Sequence, residues 1–195
     1  MEYNFYATIA RMKYIERWAL MRNTRAENLS EHALDVSMIA HALCIIGNKR
    51  YNKDLDADKA AMIGIYHDAS EIITGDMPTP VKYYNKSIKE AFKSLEDEAN
   101  KSLISQLPED LRDAYKDIFF KTEEYSYEWR LVKAADKLSA MIKCMEEEKT
   151  GNREFVKAKE ATEKALGVLA AELPEVKDFI KDFLPAYAKT LDELN

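Results

Sequence analysis

Apolar residues recur at three- and four-residue spacing through almost the whole chain, and breakers are few: five Gly and five Pro in 195 residues. Each residue advances ~100° around a helix, so this spacing lines one face with apolar groups that must be buried. A chain of many short strands needs turn residues roughly every 8–12 positions, and this one lacks them. The pattern predicts helices over residues 4–19, 30–46, 57–73, 84–106, 109–120, 127–149, 152–171 and 174–193. A polar loop over 21–28 and a stiff one at Thr74-Gly75-Asp76-Met77-Pro78-Thr79-Pro80 separate them. Ser30, and Asp56 or Asp58, are suited to cap the second and third helices, and Gly47-Asn48 to end the second. No repeat or flexible linker divides the chain. The expectation is an all-α helical bundle, one domain over residues 1–195, long enough to bury a sizeable core.

Charged residues make up 33% and apolar residues 47%, the balance of a soluble protein. No apolar run approaches the ~20 residues of a membrane span. Residues 1–5 lack the basic-then-apolar pattern of a secretory signal. The reading is a cytoplasmic protein without a membrane partner, with Cys44 and Cys144 as buried reduced thiols. A net charge of −6 argues against a nucleic-acid partner. Residues 1–25 nevertheless carry +3, leaving −9 for the remainder. A basic segment on an acidic body suits capture of a small anionic substrate; from charge alone a solvated helix face reads equally well.

Four ionisable groups lie inside apolar, helix-like sequence: His32, the adjacent His67-Asp68, and Asp136. Unpaired, they would be costly to bury. Taken singly, each reads as a hydrogen-bonded core residue or a surface group, and Asp136 as a partner of Lys133 or Lys137. As a set, two imidazoles and two carboxylates suit one divalent metal ion. Glu71 follows Asp68 by three residues and His67 by four, so one helical face can present all three. His41, nine residues after His32, is about half a turn out of phase and reads as a core or interface histidine. This donor set leaves open positions on an ion that prefers six ligands. Mn²⁺, Co²⁺, Fe²⁺, Ni²⁺ or Mg²⁺ suit it, whereas a closed structural Zn²⁺ site normally uses cysteines. Open positions hold water, whose pKa the metal lowers, so hydrolysis is the natural chemistry.

The ordered set His32, His67-Asp68 and Asp136 resembles the HD-domain metal-dependent phosphohydrolases. Flanking segments narrow the resemblance to the bacterial 5′-deoxynucleotidases: Arg17-Trp18-Ala19-Leu20-Met21-Arg22-Asn23, Glu27-Asn28-Leu29-Ser30-Glu31-His32, Tyr66-His67-Asp68-Ala69-Ser70-Glu71, the loop from Thr74 to Lys82, and Leu131-Val132-Lys133-Ala134-Ala135-Asp136. Ala19 stands where a proline is expected after the Arg-Trp pair, which removes no functional side chain. The C-terminal third matches only in general character. The resemblance implies hydrolysis of 2′-deoxyribonucleoside 5′-monophosphates to deoxynucleoside and phosphate, rejection of ribonucleotides, and a homodimer. It implies one divalent ion, such as Co²⁺ or Mn²⁺, on His32, His67, Asp68 and Asp136. Glu71 would orient or deprotonate the attacking water, and Arg17 would bind the phosphate. Trp18 would wall off C2′ of the sugar. Asp76 would serve the leaving oxygen or the 3′-hydroxyl, and Met77, Pro78 and Thr79, with Asp68 and Asp136, would complete the substrate contacts.

Other readings follow from the same residues. HD scaffolds also hydrolyse alarmones and cyclic nucleotides, and one is a di-iron oxygenase, which needs more histidines than this chain has. A non-enzymatic helical interaction module predicts neither bound metal nor phosphate release.

Overall fold

The computed structural model describes residues 2–82 and 84–194, apart from the side chain of Thr79. It is all-α: helices α1 (Phe5–Ile9), α2 (Leu29–Tyr51), α3 (Ala57–Tyr66), α4 (Glu71–Thr74), α5 (Thr79–Lys82), α6 (Lys86–Ser105), α7 (Glu109–Phe119), α8 (Ser126–Lys149), α9 (Val156–Glu172) and α10 (Pro174–Asp182). Among the described residues the strands are β1 (Glu16–Arg17) and β2 (Glu27–Asn28), paired antiparallel with Arg17 opposite Glu27.

The main core lies where α2, α3 and α8 meet, and α9 and α10 close its far side. Leu43, Ile63, Leu131 and Leu138 are fully buried there. Gly64 allows α3 to lie directly on α2, since a Cβ at that position would come 2.8 Å from the Ser37 Cα. A second cluster joins α1 to α7 and the end of α3. Phe5 meets Tyr115 edge-on at 5.0 Å, and Tyr66 packs on Phe119 at 5.3 Å. Tyr66 immediately precedes the His-Asp doublet, so this aromatic packing anchors the backbone at that point.

Several local expectations are corrected. Residues 4–19 do not form one helix: α1 passes into a 3₁₀ turn over Ala10–Tyr14 and then β1. Asn28, not Ser30, caps α2: its Oδ1 accepts from the N–H groups of Ser30 (3.0 Å) and Glu31 (3.1 Å). Glu31 returns a bond to the Asn28 N–H, completing a capping box. Gly47-Asn48 does not end α2, which runs on to Tyr51 and stops at Asn52 with φ +50°. Gly47 is instead a close-approach position, where a Cβ would lie 2.9 Å from Glu175. Asp56 caps α3 through the Lys59 N–H, but α3 ends at Tyr66, not at residue 73. The loop after Thr74 closes into the single turn α5, and the last long helix ends at Asp182. Helix α2 also has the length and apolar content of a membrane span, contrary to expectation, yet 56% of that stretch is buried inside the bundle. Cys44 and Cys144 are free and buried, as expected.

Candidate metal centre

His32 stands in the first turn of α2 and is completely buried. Its Nδ1 meets the Ser139 hydroxyl of α8 at 3.0 Å, so Nε2 faces the other way. There it lies 3.5 Å from Asp68 Oδ2 and 3.3 Å from Asp136 Oδ1. His67 and Asp68 lie in the turn between α3 and α4, not on a continuous helix face. The Gly64 carbonyl, one of the α3 C-terminal carbonyls without a helical partner, accepts from His67 Nδ1–H at 2.8 Å. That bond sets the tautomer and turns His67 Nε2 to within 3.0 Å of Asp68 Oδ2. Burial disfavours the charged form of His67, but Asp68 and Asp136 outweigh it and raise its pKa. Burial also opposes the Asp68 carboxylate, but His67 and His32 hold it well below the usual carboxylate range.

The donor chemistry fits a cation. Ligand atoms of His32, His67 and Asp68 lie within 4.8 Å of one another. Both Nε2 atoms are buried without a hydrogen-bond partner, an arrangement that costs free energy unless something accepts their lone pairs. Asp136 Oδ2 pairs with Lys137 at 2.8 Å, the alternative weighed from sequence, while Oδ1 points to His32. Asp136 and Ser139 share one stripe of α8 with Lys143 and Glu147; the first two meet His32 and the last two meet Arg25 and Thr24.

Glu71 opens α4 and is 6% exposed, with Oε2 unpartnered. Burial, with Asp68 and Asp76 nearby, pushes its carboxyl up to about 9. Asp76 is half-buried, and burial raises it too, against Arg17 and the backbone N–H of Trp18. Arg17 Nη2 is 3.9 Å from Asp136, which brings the guanidinium to the rim of the cluster. Trp18 leans on Phe155 with ring centres 5.3 Å apart. Met77 is half-buried and Pro78 exposed; the Thr79 side chain lies outside the described residues. His41 is half-buried on α2 and outside the metal-capable group, as its phase predicts.

Glu147 anchors the loop between β1 and β2. It is 2% exposed, pairs with Lys143, and accepts from Thr24 N–H (2.9 Å) and the Asn152 amide (2.7 Å). Lys143 also donates to the Arg25 carbonyl at 2.6 Å. Burial works against the Glu147 carboxylate, yet these partners hold it down at about 2. Sequence reasoning assigned no role to Ser139, Glu27 or the Gly64 carbonyl. Ser139 reaches His32 across the bundle and Glu27 reaches Arg17 and Trp18 across the strand pair, contacts that no local pattern encodes, whereas the Gly64 carbonyl is free for His67 because α3 ends there.

The pattern of the YfbR-like 5′-deoxynucleotidases matches residues 4–187. The chain belongs to this family. A 5′-deoxynucleotidase of Erwinia tasmaniensis is 45% identical over 192 residues, covering 98% of this chain and 96% of that protein. One from Yersinia pestis is 44% identical over the same shares of both chains. Among solved structures, an HD-domain phosphohydrolase from Listeria innocua superposes with a TM-score of 0.79 at 21% identity, over 94% of this chain and 88% of that one. The cyanophage S-2L HD phosphohydrolase DatZ, bound to dA and one catalytic Zn²⁺ ion, reaches 0.62 at 19% identity, over 94% of this chain and 96% of its own. These two likenesses concern the fold. In this chain the two histidines and two aspartates come together in one cluster, with His32 buried and the other three partly so.

Proposed function

We propose that the protein hydrolyses 2′-deoxyribonucleoside 5′-monophosphates to deoxynucleoside and phosphate, with one divalent ion, and rejects ribonucleotides. The observation that carries this reading is the pair of buried, unpartnered imidazole nitrogens facing Asp68 and Asp136, next to Arg17, in a family of 5′-deoxynucleotidases. His32, His67, Asp68 and Asp136 would hold the ion, with Co²⁺ or Mn²⁺ suited to the mixed donors. The ion, when bound, supplies positive charge that makes water in the site more acidic and favours the Glu71 carboxylate.

The chain's own residues do the rest. Arg17 binds the phosphate and stabilises charge on its equatorial oxygens. Glu71 orients the attacking water and takes its proton. Asp76, when protonated, donates to the leaving 5′-oxygen; when ionised, it accepts from the 3′-hydroxyl. Met77, Pro78 and Thr79 border the nucleotide. Trp18 closes the sugar pocket at C2′, where an unpaired hydroxyl costs roughly 1–3 kcal/mol, or about ten- to hundred-fold in selectivity. A cytoplasmic location agrees with the two free thiols.

The test is phosphate release from dAMP and AMP with added Co²⁺ or Mn²⁺. Wild type cleaves dAMP at least about ten-fold better, and Trp18→Ala narrows that gap more than it slows dAMP cleavage. Equal turnover of both nucleotides by wild type would remove the proposed selectivity; an unchanged ratio in Trp18→Ala would remove Trp18 from it.

We also propose a homodimer formed through α2. Leu34, Met38 and Ile45 are 56%, 55% and 39% exposed along one face, with half-buried His41 between them. Light scattering should give twice the 22.5 kDa chain mass and a monomer for Met38→Lys. A monomeric wild type at micromolar concentration rules the dimer out.

A further inference from the structure

The hairpin carrying Arg17 and Trp18 is held by a carboxylate to which neither the ion nor the nucleotide gives a role. Glu27 is 7% exposed and lies opposite Arg17 in the strand pair. Its oxygens are divided between the two residues: Oε1 accepts from Arg17 Nη1 at 2.9 Å, and Oε2 from Trp18 Nε1–H at 3.1 Å. Oε1 is also 3.7 Å from His32 Nδ1. Arg17 thus stands between two carboxylates, with Glu27 much the nearer and Asp136 at 3.9 Å.

Trp18 adds a second observation. Its φ of +58° puts a bulky residue in the left-handed region, a conformation that persists only when its surroundings enforce it. Met21 N–H and the Asn23 amide hold its carbonyl, at 2.8 and 3.2 Å, and Phe155 backs the ring. Those contacts fix the backbone and one face of the ring. The Glu27 bond fixes the indole nitrogen, and with it the direction of the ring plane.

We propose that Glu27 is a positioning residue, which keeps Arg17 off Asp136 and open to phosphate while holding the Trp18 indole rigid against the sugar. This rests on the deoxynucleotidase reading of the site. Without Glu27, Asp136 becomes the nearest anion to Arg17, and substrate phosphate must compete with it. The indole, no longer tethered, swings and admits a 2′-hydroxyl more readily.

The chain has two tryptophans, so a Trp129→Phe parent leaves Trp18 as the sole tryptophan, excited selectively over the tyrosines at the red edge of absorption. In that parent, Glu27→Ala and the nearly isosteric Glu27→Gln are compared by dAMP and AMP kinetics and by acrylamide quenching of Trp18. Glu27→Ala should raise the KM for dAMP about ten-fold, more than it changes kcat, as expected for losing a buried charged contact. It should also lower the dAMP/AMP ratio of kcat/KM at least about three-fold and raise Trp18 quenching. Glu27→Gln retains an acceptor for the indole, so its KM rises while its ratio and quenching stay nearer the parent. Unchanged KM and ratio in a folded Glu27→Gln or Glu27→Ala overturn the proposal, even if quenching rises, because the residue would then be merely structural. If the parent itself releases no phosphate from dAMP, the functional reading fails and the positioning role with it; unchanged quenching separately rejects Glu27 as a tether of the indole.

Discussion

Glu71→Gln should keep its metal content and its affinity for dAMP but release phosphate about 10²–10⁴-fold more slowly than wild type. The amide has nearly the shape of the carboxyl it replaces, so the packing around this 6% exposed side chain is retained. What is lost is the ability to take a proton. The group's surroundings make the change informative: burial, together with Asp68 and Asp76, pushes the carboxyl up to about 9, and one oxygen has no partner. A carboxylate desolvated in this way has a strong drive to acquire a proton, and the positive charge of a bound cation is what restores its ionised, proton-accepting form. A surface glutamate would have neither property. The measurement is single-turnover phosphate release alongside elemental analysis of the same preparation. A rate within about three-fold of wild type would show that proton transfer to residue 71 takes no part in the slow step.

Chelation of the purified protein should remove its activity and Co²⁺ or Mn²⁺ should restore it, while His32→Ala should retain little metal and not be rescued at the same concentration. The reason lies in the two Nε2 atoms. Ser139 and the Gly64 carbonyl occupy the Nδ1 atoms, so each imidazole can offer only Nε2, and both are buried without a partner beside carboxylate oxygens. Two imidazole nitrogens and two carboxylates converging on one point make a site for a cation, so bound metal also stabilises the fold. At a hundred-fold excess over its dissociation constant it adds about 2.7 kcal/mol, visible as a rise in melting temperature. Full activity after chelation, with metal content below about one-tenth of an equivalent, would contradict the centre.

How much of this was legible depended on the range of the interaction. The α-helical class and the long helices followed from periodicity, because each helix must bury an apolar face whatever its partner. The Asp56 cap was equally local. Residues 4–19 and 57–73 have helical apolar spacing, yet neither forms one helix: the first run is broken by strand pairing and the second by a local side-chain bond to a helix-end carbonyl. The first turns into β1 because Arg17 pairs with Glu27 across ten residues. The second ends at Tyr66, where His67 bonds back to Gly64. Ser30 looked like a cap, but Asn28 lies where β2 meets the helix and can bond two N–H groups.

Residue chemistry, read along the chain, was enough to single out His32, His67, Asp68 and Asp136, since ionisable groups in apolar sequence demand a common partner. Sequence therefore determined the helical class and which ionisable side chains need a partner inside it. It did not determine which nitrogen each histidine presents, that Lys137 takes only one oxygen of Asp136, or that a glutamate at position 27 orients two of its neighbours. Those were decided by the tertiary structure alone. A hydrogen bond between positions 32 and 139, or between 18 and 27, depends on angles and distances set by how α2, α8 and the hairpin pack, and no periodicity along a single chain carries that geometry.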